Sequence, residues 1–462
     1  MEKKSVEITE KYDAIIIGFG KGGKTLAKAL GDAGKKTVLI ERSNKMYGGT
    51  CPNVGCVPTK SLVYRAGLIS AGDGSFEDKA RAYKEAVEHK NSLTGKLRET
   101  NYQKLTNHPN ITVMDGTARF VSSHDVEVER DGNTVKLTGK QIFIDTGSSA
   151  FVPPIDGVKG NPYVYTSETL LEQKELPKNL VIIGGGYIGV EFSSIYASFG
   201  SKVSILQDGD VFLPREDADI AGAVRKSLSG RGIDVLTGVK VKAVEQAEGR
   251  AAVVFEDREG VRKLEADAVL IATGRRPNTK ELNLEAAGIE VNARGGIITD
   301  DSMMTTTPDV YAMGDVTGGL QFTYISLDDS RIVKSKILGD GSYTLKDRGA
   351  VPYSVFLAPA FSRVGLSEKD ARDAGYQVKI ATVSASEIVK SKVLEQPDGL
   401  LKAVIDEKTG LILGAHLFCE ESYELINIIK MAMDAKLPYT VLRDMIFTHP
   451  TMAESLNELF AV

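Results

Sequence analysis

The same short grammar is written twice in this chain, and any fold has to accommodate both copies. In the first, an apolar, β-branched run at residues 12–17 leads into Gly18-Phe-Gly20-Lys-Gly-Gly23. A helix-like stretch follows at 24–32, then a second strand at 37–40 that ends on Glu41. In the second, residues 180–183 lead into Gly184-Gly-Gly186-Tyr-Ile-Gly189, a helix continues through Ser198, and a strand follows at 202–206. Three glycines at this spacing can mark any tight turn. A strand before them and a helix after them is the context in which each has a task. The first makes the turn, the second lets backbone reach a pyrophosphate, and the third lets helix pack on strand. The helix N-terminus then offers unpaired N–H groups and the positive end of its dipole to phosphates. Two copies predict an α/β chain with two Rossmann-like dinucleotide-binding domains, and two bound dinucleotides.

The residue ending the second strand of such a unit reads the ribose. In the first copy this is Glu41, 18 positions past Gly23; its carboxylate accepts hydrogen bonds from hydroxyls and repels a 2′-phosphate. The same offset from Gly189 falls on Gln207, with Asp208 next and no Arg or Lys before Pro214. A neutral amide without a cation beside it favours NADH over NADPH. The alternative reading is a Gln207 that merely faces solvent.

The rest of the chain is organised around these units. Residues 76–107 read as a long charged helix, and 111–145 as several short strands with turns at Asp115-Gly116 and Asp131-Gly132. Strands follow at 239–244, 252–256 and 263–264, and the run 269–271 leads into Thr273-Gly274. A strand at 310–312 feeds Gly314-Asp315 and a helix around 325–338. After residue 351, strands at 401–406 and 411–418 precede amphipathic helices at 422–435 and 439–443, and a last helix from Thr451. Joints fall near 152, 280 and 348. They divide the chain into 1–152, 153–280, 281–348 and 349–462, the last an α+β domain. A length of 462 residues suits about three domains of roughly 150 residues each.

Composition removes several classes of function. The net charge of −5 has interspersed signs, without the basic stripe a nucleic-acid partner requires. No apolar run approaches the roughly 20 residues that cross a bilayer. Residues 1–13 are charged and lack the apolar centre of a signal peptide. These features predict a cytoplasmic protein. There thiols are kept reduced, so of the three cysteines (Cys51, Cys56 and Cys419) the close pair is catalytic or metal-binding.

That pair stands in Gly48-Gly49-Thr50-Cys51-Pro-Asn-Val-Gly-Cys56-Val-Pro-Thr-Lys60. The spacing differs from the CxxC of zinc sites, and no second Cys or His cluster follows. A straight helix would set the two about 7.5 Å apart along its axis, whereas a disulfide needs Cα atoms within about 4.4–6.8 Å. A bond therefore requires a distorted first turn, which Pro52 and Gly55 permit. Two buried free thiols are the other reading. Helix is expected from 59 to 70, so Cys56 and Lys60 share a face. A cation there favours thiolate; otherwise Lys60 is a solvated surface residue. Cys419 ends an apolar strand without a partner in sequence and reads as structural.

At these residues the chain resembles the class I pyridine nucleotide–disulfide oxidoreductases, the family of glutathione reductase, lipoamide dehydrogenase and mercuric reductase. The likeness spans nearly the whole length. It rests on both glycine motifs, CPNVGC, Ala272-Thr-Gly274-Arg-Arg-Pro-Asn278, Ala312-Met-Gly-Asp315 and Thr448-His-Pro-Thr-Met-Ala-Glu454. Within the family, residues 314–329, 352–365 and 447–460 look like the bacterial reactive chlorine resistance protein A group, which is associated with hypochlorous acid defence and Cu(II) reduction.

The resemblance implies roles. FAD would lie on Gly18, Gly20 and Gly23, with Glu41, Gly49, Thr50, Lys60, Thr146, Gly147, Gly314 and Asp315 around it. The nicotinamide cofactor would take Gly184, Gly186, Gly189, Gln207 and Gly274. Cys56 would face the flavin as a thiolate, Cys51, nearer the surface, would exchange with substrate, and Glu191 would pair with Lys60. The C-terminal element would cross a homodimer interface. There His449, oriented by Glu454, would be the acid–base group for the partner subunit's Cys51. An ordinary helix-flanking histidine is the alternative for His449. No structural metal is expected, though Cys51 and Cys56 could hold copper transiently. The chain's last residues lack the cysteine pair of mercuric reductases, and Phe447 replaces the first histidine of the lipoamide enzymes' HxHP, which argues against mercury and lipoamide.

The expected activity is an FAD-dependent NAD(P)H oxidoreductase passing electrons through Cys51–Cys56 to an oxidant, in oxidative-stress defence with Cu(II) reduction. A reductase of small or protein disulfides is the alternative. A flavin-bound redox sensor without turnover is the alternative from another class.

Overall fold

The computed structural model describes residues 9–70, 72 and 74–462. Residues 1–8, part of the segment read as lacking a signal peptide, lie outside the described residues. The chain forms two compact units. One comprises the described residues up to Ser61 with Glu88–Phe151 and Gly274–Arg348; the other comprises Leu62–Val87, Val152–Thr273 and Gly349–Val462.

The first unit is built on a seven-stranded sheet. Strands Ile111–Asp115, Thr37–Glu41, Thr9–Ile17 and Asn133–Ile144 lie side by side, all parallel. Val310–Ala312 pairs in parallel with the end of Asn133–Ile144, whose first half instead forms an antiparallel hairpin with Asp125–Arg130. The hairpin turns on Asp131 and Gly132, both at positive φ (49° and 73°), the two-residue turn whose twist matches its strands. Parallel strands covered on both faces read as unbroken apolar runs, and all five residues of Thr37–Glu41 are buried. Helix Lys21–Asp32 buries Gly23, Leu26, Ala27, Leu30 and Gly31, one helical stripe. Register matters more than length here. Ile17 pairs with Ile40 and with Ile144, and Ala312 with Ile144, so four strands end level. Gly18, Glu41, Asp145 and Met313 therefore start four loops along one edge, the edge where open α/β sheets bind ligands.

The second unit repeats the arrangement. Asp234–Leu236, Lys202–Leu206, Asn179–Ile183, Ala268–Ile271 and Val164–Thr166 form a parallel sheet, with Ile183 level with Leu206 and Ile271. Strands Lys240–Ala247, Arg250–Asp257 and Gly260–Ala266 make a separate antiparallel sheet. From Tyr353 onward the strands are antiparallel, in five-stranded order Tyr353–Val355, Phe361–Gly365, Ile412–Phe418, Leu400–Asp406, Val378–Ser384. Helix Ser422–Asp434 packs on them through Leu425, Ile426 and Ile429. Two Rossmann-like sheets and a C-terminal α+β portion are thus present. Among the described residues no helix is long and apolar enough to cross a membrane.

Some elements differ from expectation. The first glycine-loop helix starts at Lys21 rather than residue 24, taking Gly22 and Gly23 into its first turn. The last helix spans Ser455–Leu459, not from Thr451. Residues 451–454 close a reciprocal turn instead: Thr451 N–H donates to Glu454 Oε1 at 3.0 Å, and Glu454 N–H to Thr451 Oγ1 at 3.4 Å.

Candidate active site

The two glycine loops are braced alike. Phe19, between the first two glycines of its loop, donates its N–H to Glu41 Oε2 at 3.0 Å. Gly185, at the equivalent place, donates to Gln207 Oε1 at 2.8 Å. The residue ending the second strand is therefore a loop brace in both copies, and Gln207 does not simply face solvent. Glu41 also accepts Ser43 N–H at 3.1 Å. Burial still holds its carboxyl above the ordinary range, against those donors.

First and third glycines pack as the sequence demands. A Cβ on Gly23 would lie 2.5 Å from the Gly18 carbonyl oxygen, and one on Gly189 only 2.1 Å from that of Gly184. The second glycines differ. A Cβ on Gly20 would meet the Asp145 carboxylate at 2.4 Å, whereas one on Gly186 would meet nothing within 4 Å. Gly147 and Gly274 likewise face open space. A backbone bare of side chains, as at Gly186, is what close approach of a dinucleotide requires. Gly186 sits at φ −79°, ψ −178°, which alanine adopts freely. Gly186→Ala is therefore expected to leave thermal stability within about 0.5 kcal/mol, while the NADH dissociation constant rises about 10-fold or more, near 1.4 kcal/mol. Gly189→Ala is expected to lose about 1–3 kcal/mol of stability through overpacking. Calorimetry and NADH titration check both. Unchanged NADH affinity in Gly186→Ala would remove the nucleotide from that space.

The loops around Asp315 are tied together by polar side chains. The Ser148 hydroxyl donates to Asp315 Oδ2 at 2.6 Å, and Arg275 Nε donates to Ser148 Oγ at 2.9 Å. Burial raises the Asp315 carboxyl, and the Ser148 bond opposes that shift. Thr146 donates to the Asn278 carbonyl at 2.9 Å, which pins the turn at Gly147.

The cysteines are separated by a break rather than a single distorted turn. A short helix, Thr50–Val54, carries Cys51. Gly55 interrupts it at φ −128°, ψ −115°, and Cys56 opens the helix Cys56–Ser70. A Cβ on Gly55 would sit 3.0 Å from the Thr50 carbonyl oxygen, a contact that a larger residue would make only by shifting the break. Both cysteines are thiols in this structure, with Cys56 exposed and Cys51 half-buried, the reverse of the expected order in which Cys51 lies nearer the surface. The Cys56 sulfur hydrogen-bonded beside it, and then burial, push the Cys51 thiol well above its ordinary value, while Thr323 and Lys24 pull it down. In such a pair one sulfur keeps its proton while the other ionises. Cys56 Sγ also lies 3.6 Å from the Thr323 hydroxyl, which opens the helix Thr323–Leu338. A helix N-terminus favours an anion at that sulfur. Lys60 is half-buried four positions on in the Cys56 helix. Glu191 is buried in the helix Tyr187–Ser198.

Sequence reasoning missed Thr323, Lys24, Asp145 and Ser326, which chain distance hides. It also missed an anchor on the second loop. Tyr187 donates its hydroxyl to Glu216 Oε1 at 2.5 Å and lies 3.0 Å from the Tyr353 hydroxyl. Burial alone would raise Glu216; hydrogen bonds from His416, Tyr187 and Tyr353 bring it below the ordinary carboxylate value.

The C-terminal motif is assembled locally. His449 Nδ1 lies 2.8 Å from Glu454 Oε2, with the imidazole exposed. The hydrogen bond with His449 holds the Glu454 carboxyl below its usual range. A carboxylate on Nδ1 requires the proton there and leaves Nε2 as the basic atom.

Comparison with known proteins agrees with this geometry. The pyridine nucleotide-disulphide oxidoreductase family model matches residues 12–330, and that family's dimerisation domain matches 351–460. The chain belongs to the pyridine nucleotide-disulphide oxidoreductases. It is 48% identical over 452 residues to the probable pyridine nucleotide-disulfide oxidoreductase RclA of Escherichia coli (strain K12), covering 98% of this chain and 99% of that one. A mercuric reductase of Lysinibacillus sphaericus is 35% identical over 456 residues, covering 97% and 82%. Among solved structures, the Cu(II) complex of HOCl-induced flavoprotein disulfide reductase RclA from Escherichia coli matches at TM-score 0.92 and 48% identity, covering 98% and 99%.

Proposed function

We propose that this protein is an NADH-preferring flavoprotein reductase that cycles Cys51 and Cys56 between disulfide and dithiol to reduce an oxidant. The observation that carries the reading is the thiol pair, hydrogen-bonded together at the Gly55 break, with the Thr323 hydroxyl on Cys56. The family uses FAD and NAD(P)H. In this reading residues 1–152 and 281–348 bind FAD, 153–280 binds the nicotinamide cofactor and 349–462 forms a homodimer interface. The first loop, Glu41, Gly49, Thr50, Thr146, Gly147, Gly314 and Asp315 hold FAD in this reading. Gly184, Gly186, Gly189, Gln207 and Gly274 hold NADH, whose preference is supported by the absence of Arg or Lys at 207–213. Bound FAD supplies a two-electron relay from nicotinamide to the disulfide.

The chain's own residues handle sulfur and protons. Reducing the disulfide takes two electrons; Cys56, beside Thr323, keeps the negative charge, and Cys51 takes a proton. Lys60, four positions on in the Cys56 helix, supplies the positive charge. Two Cu(II) ions then take one electron each, giving two Cu(I), the re-formed disulfide and the released proton. Thiolates are soft ligands suited to Cu(I). The copper complex and HOCl induction of the Escherichia coli relative support this acceptor and a role in reactive-chlorine defence. A disulfide substrate would be reduced by exchange at Cys51 instead, with His449 moving the proton.

Anaerobic titration tests the reading. NADH is expected to bleach the flavin and bring up the long-wavelength band of a thiolate against oxidised flavin, at lower concentration than NADPH. A screen of Cu(II), small disulfides and quinones then ranks the acceptors. A flavin that NADH does not bleach would favour a sensor without turnover.

A further inference from the structure

Asp145 has no part in the chemistry above, yet it occupies the centre of the first nucleotide site. It follows the strand Asn133–Ile144, and its side chain reaches the glycine loop. Oδ2 accepts the Gly23 N–H at 2.6 Å, and Oδ1 lies 3.2 Å from the Ser326 hydroxyl, which itself accepts the Gly22 N–H at 2.9 Å. Methyl groups built on Gly20 and Gly314 would lie 2.4 Å from Oδ2 and 3.2 Å from Oδ1. The carboxyl therefore fills the space between the loop, the helix Thr323–Leu338 and Gly314, and the residue is only 5% exposed.

The charges facing it are mostly negative. Asp315 follows Gly314, and Asp329 accepts the Gly314 N–H at 2.7 Å while bonded to Arg348. Lys24, on the glycine-loop helix, acts at longer range and is bonded to Asn101. Glu41, on the adjoining strand, accepts Phe19 N–H from the same loop. Among the described residues no salt bridge reaches Asp145. Burial first, and then Asp315 and Asp329, push its carboxyl up to about 8, against the Gly23 and Ser326 bonds.

We propose that Asp145 is a proton-carrying binding residue of the FAD pyrophosphate site: flavin is held with Asp145 neutral, and loss of that proton weakens the hold. The inference rests on the reading that the first loop holds FAD. A pyrophosphate over this loop and an ionised Asp145 would draw on the same partial positive charge at one helix N-terminus. The neutral acid keeps both heavy-atom contacts and only reverses the Ser326 bond, the serine hydroxyl turning its own hydrogen away from Oδ1. Its carbonyl oxygen Oδ2 still accepts Gly23 N–H, and its O–H at Oδ1 donates to Ser326 Oγ. The balance is one carboxylate, one proton and one FAD giving one neutral, flavin-loaded site.

The test dilutes FAD-loaded holoenzyme between about pH 6 and 9 and reads released flavin by its recovered fluorescence. Asp145→Asn keeps both contacts, through its carbonyl to Gly23 and its amide to Ser326, without a charge at any pH. The wild-type dissociation constant is expected to be flat in mild acid and to rise up to about 10-fold per pH unit in alkali, while that of Asp145→Asn stays flat. Circular dichroism at each pH confirms folding, and Asp145→Ser, also uncharged, is the second variant. Parallel pH profiles in wild type and variants would overturn the role of Asp145. A protein that holds no FAD at any pH would overturn the reading of the loop instead.

Discussion

Replacing Cys51 with alanine is expected to lower NADH-driven reduction of disulfides and of Cu(II) by at least about 10³-fold, roughly 4 kcal/mol at the transition state. Bleaching of the flavin by NADH should be untouched, because that step uses neither sulfur. The reasoning starts from the break at Gly55, which places one sulfur half-buried and the other exposed at a helix start. With Cys51 gone no disulfide can re-form, so the two electrons have no route through sulfur. Cys56 should then remain a lone thiolate, its charge still favoured by Thr323 and the helix that follows. Transfer from flavin directly to oxygen or a quinone should survive. Stopped-flow separation of the two half-reactions reads this directly. Full Cu(II) reduction by the variant would sink the thiolate route.

His449→Gln is expected to slow disulfide reduction by about 10²–10⁴-fold, the usual reach of a positioned acid–base group, again without effect on flavin bleaching. Glu454→Gln should be milder, about 10-fold, because it disturbs orientation and leaves the imidazole in place. The pH dependence has a definite sign. Glu454 is held below its ordinary value by His449, so its charge persists through neutrality and is lost only as pH falls through the lowered value. The orienting interaction is thus an alkaline-side asset that acid removes, and the acid limb of the rate profile should flatten in Glu454→Gln. Steady-state profiles over pH for a disulfide substrate check this. A His449→Gln enzyme with wild-type disulfide turnover would reduce the histidine to a flanking residue.

Much of this site could be read before any coordinates were known, and the reason is locality. Strand, loop and helix in each glycine unit lie within about thirty consecutive residues, so spacing alone places them. The offset of 18 positions found Glu41 and Gln207 for the same reason. What escaped was long-range. The Gly22 contact with Ser326 spans 304 positions, that of Cys56 with Thr323 spans 267, and that of Gly23 with Asp145 spans 122. A serine at the start of a helix and an aspartate after a strand carry no local mark of such tasks. The signal for Asp145 lay in the level ends of the strands: whatever follows Ile144 must stand beside whatever follows Ile17. Gln207 is an intermediate case. Its position was legible, but its bond to Gly185 was not, because an amide at that offset can turn either way.

That bond constrains anyone who would re-engineer coenzyme choice. The obvious exchange, Gln207→Arg to welcome a 2′-phosphate, swaps an acceptor for a group that only donates, and strands the Gly185 N–H. Selectivity and loop integrity are here vested in a single oxygen atom. A gain in discrimination at 207 would come with a slacker pyrophosphate grip for both coenzymes. Asp208 is bound in the same way, since its carboxylate accepts the Gly209 N–H at 2.8 Å and the Gln207 amide at 3.1 Å; the better-placed site for an added cation is Asp210, whose carboxylate pairs with Arg258 at 3.5 Å.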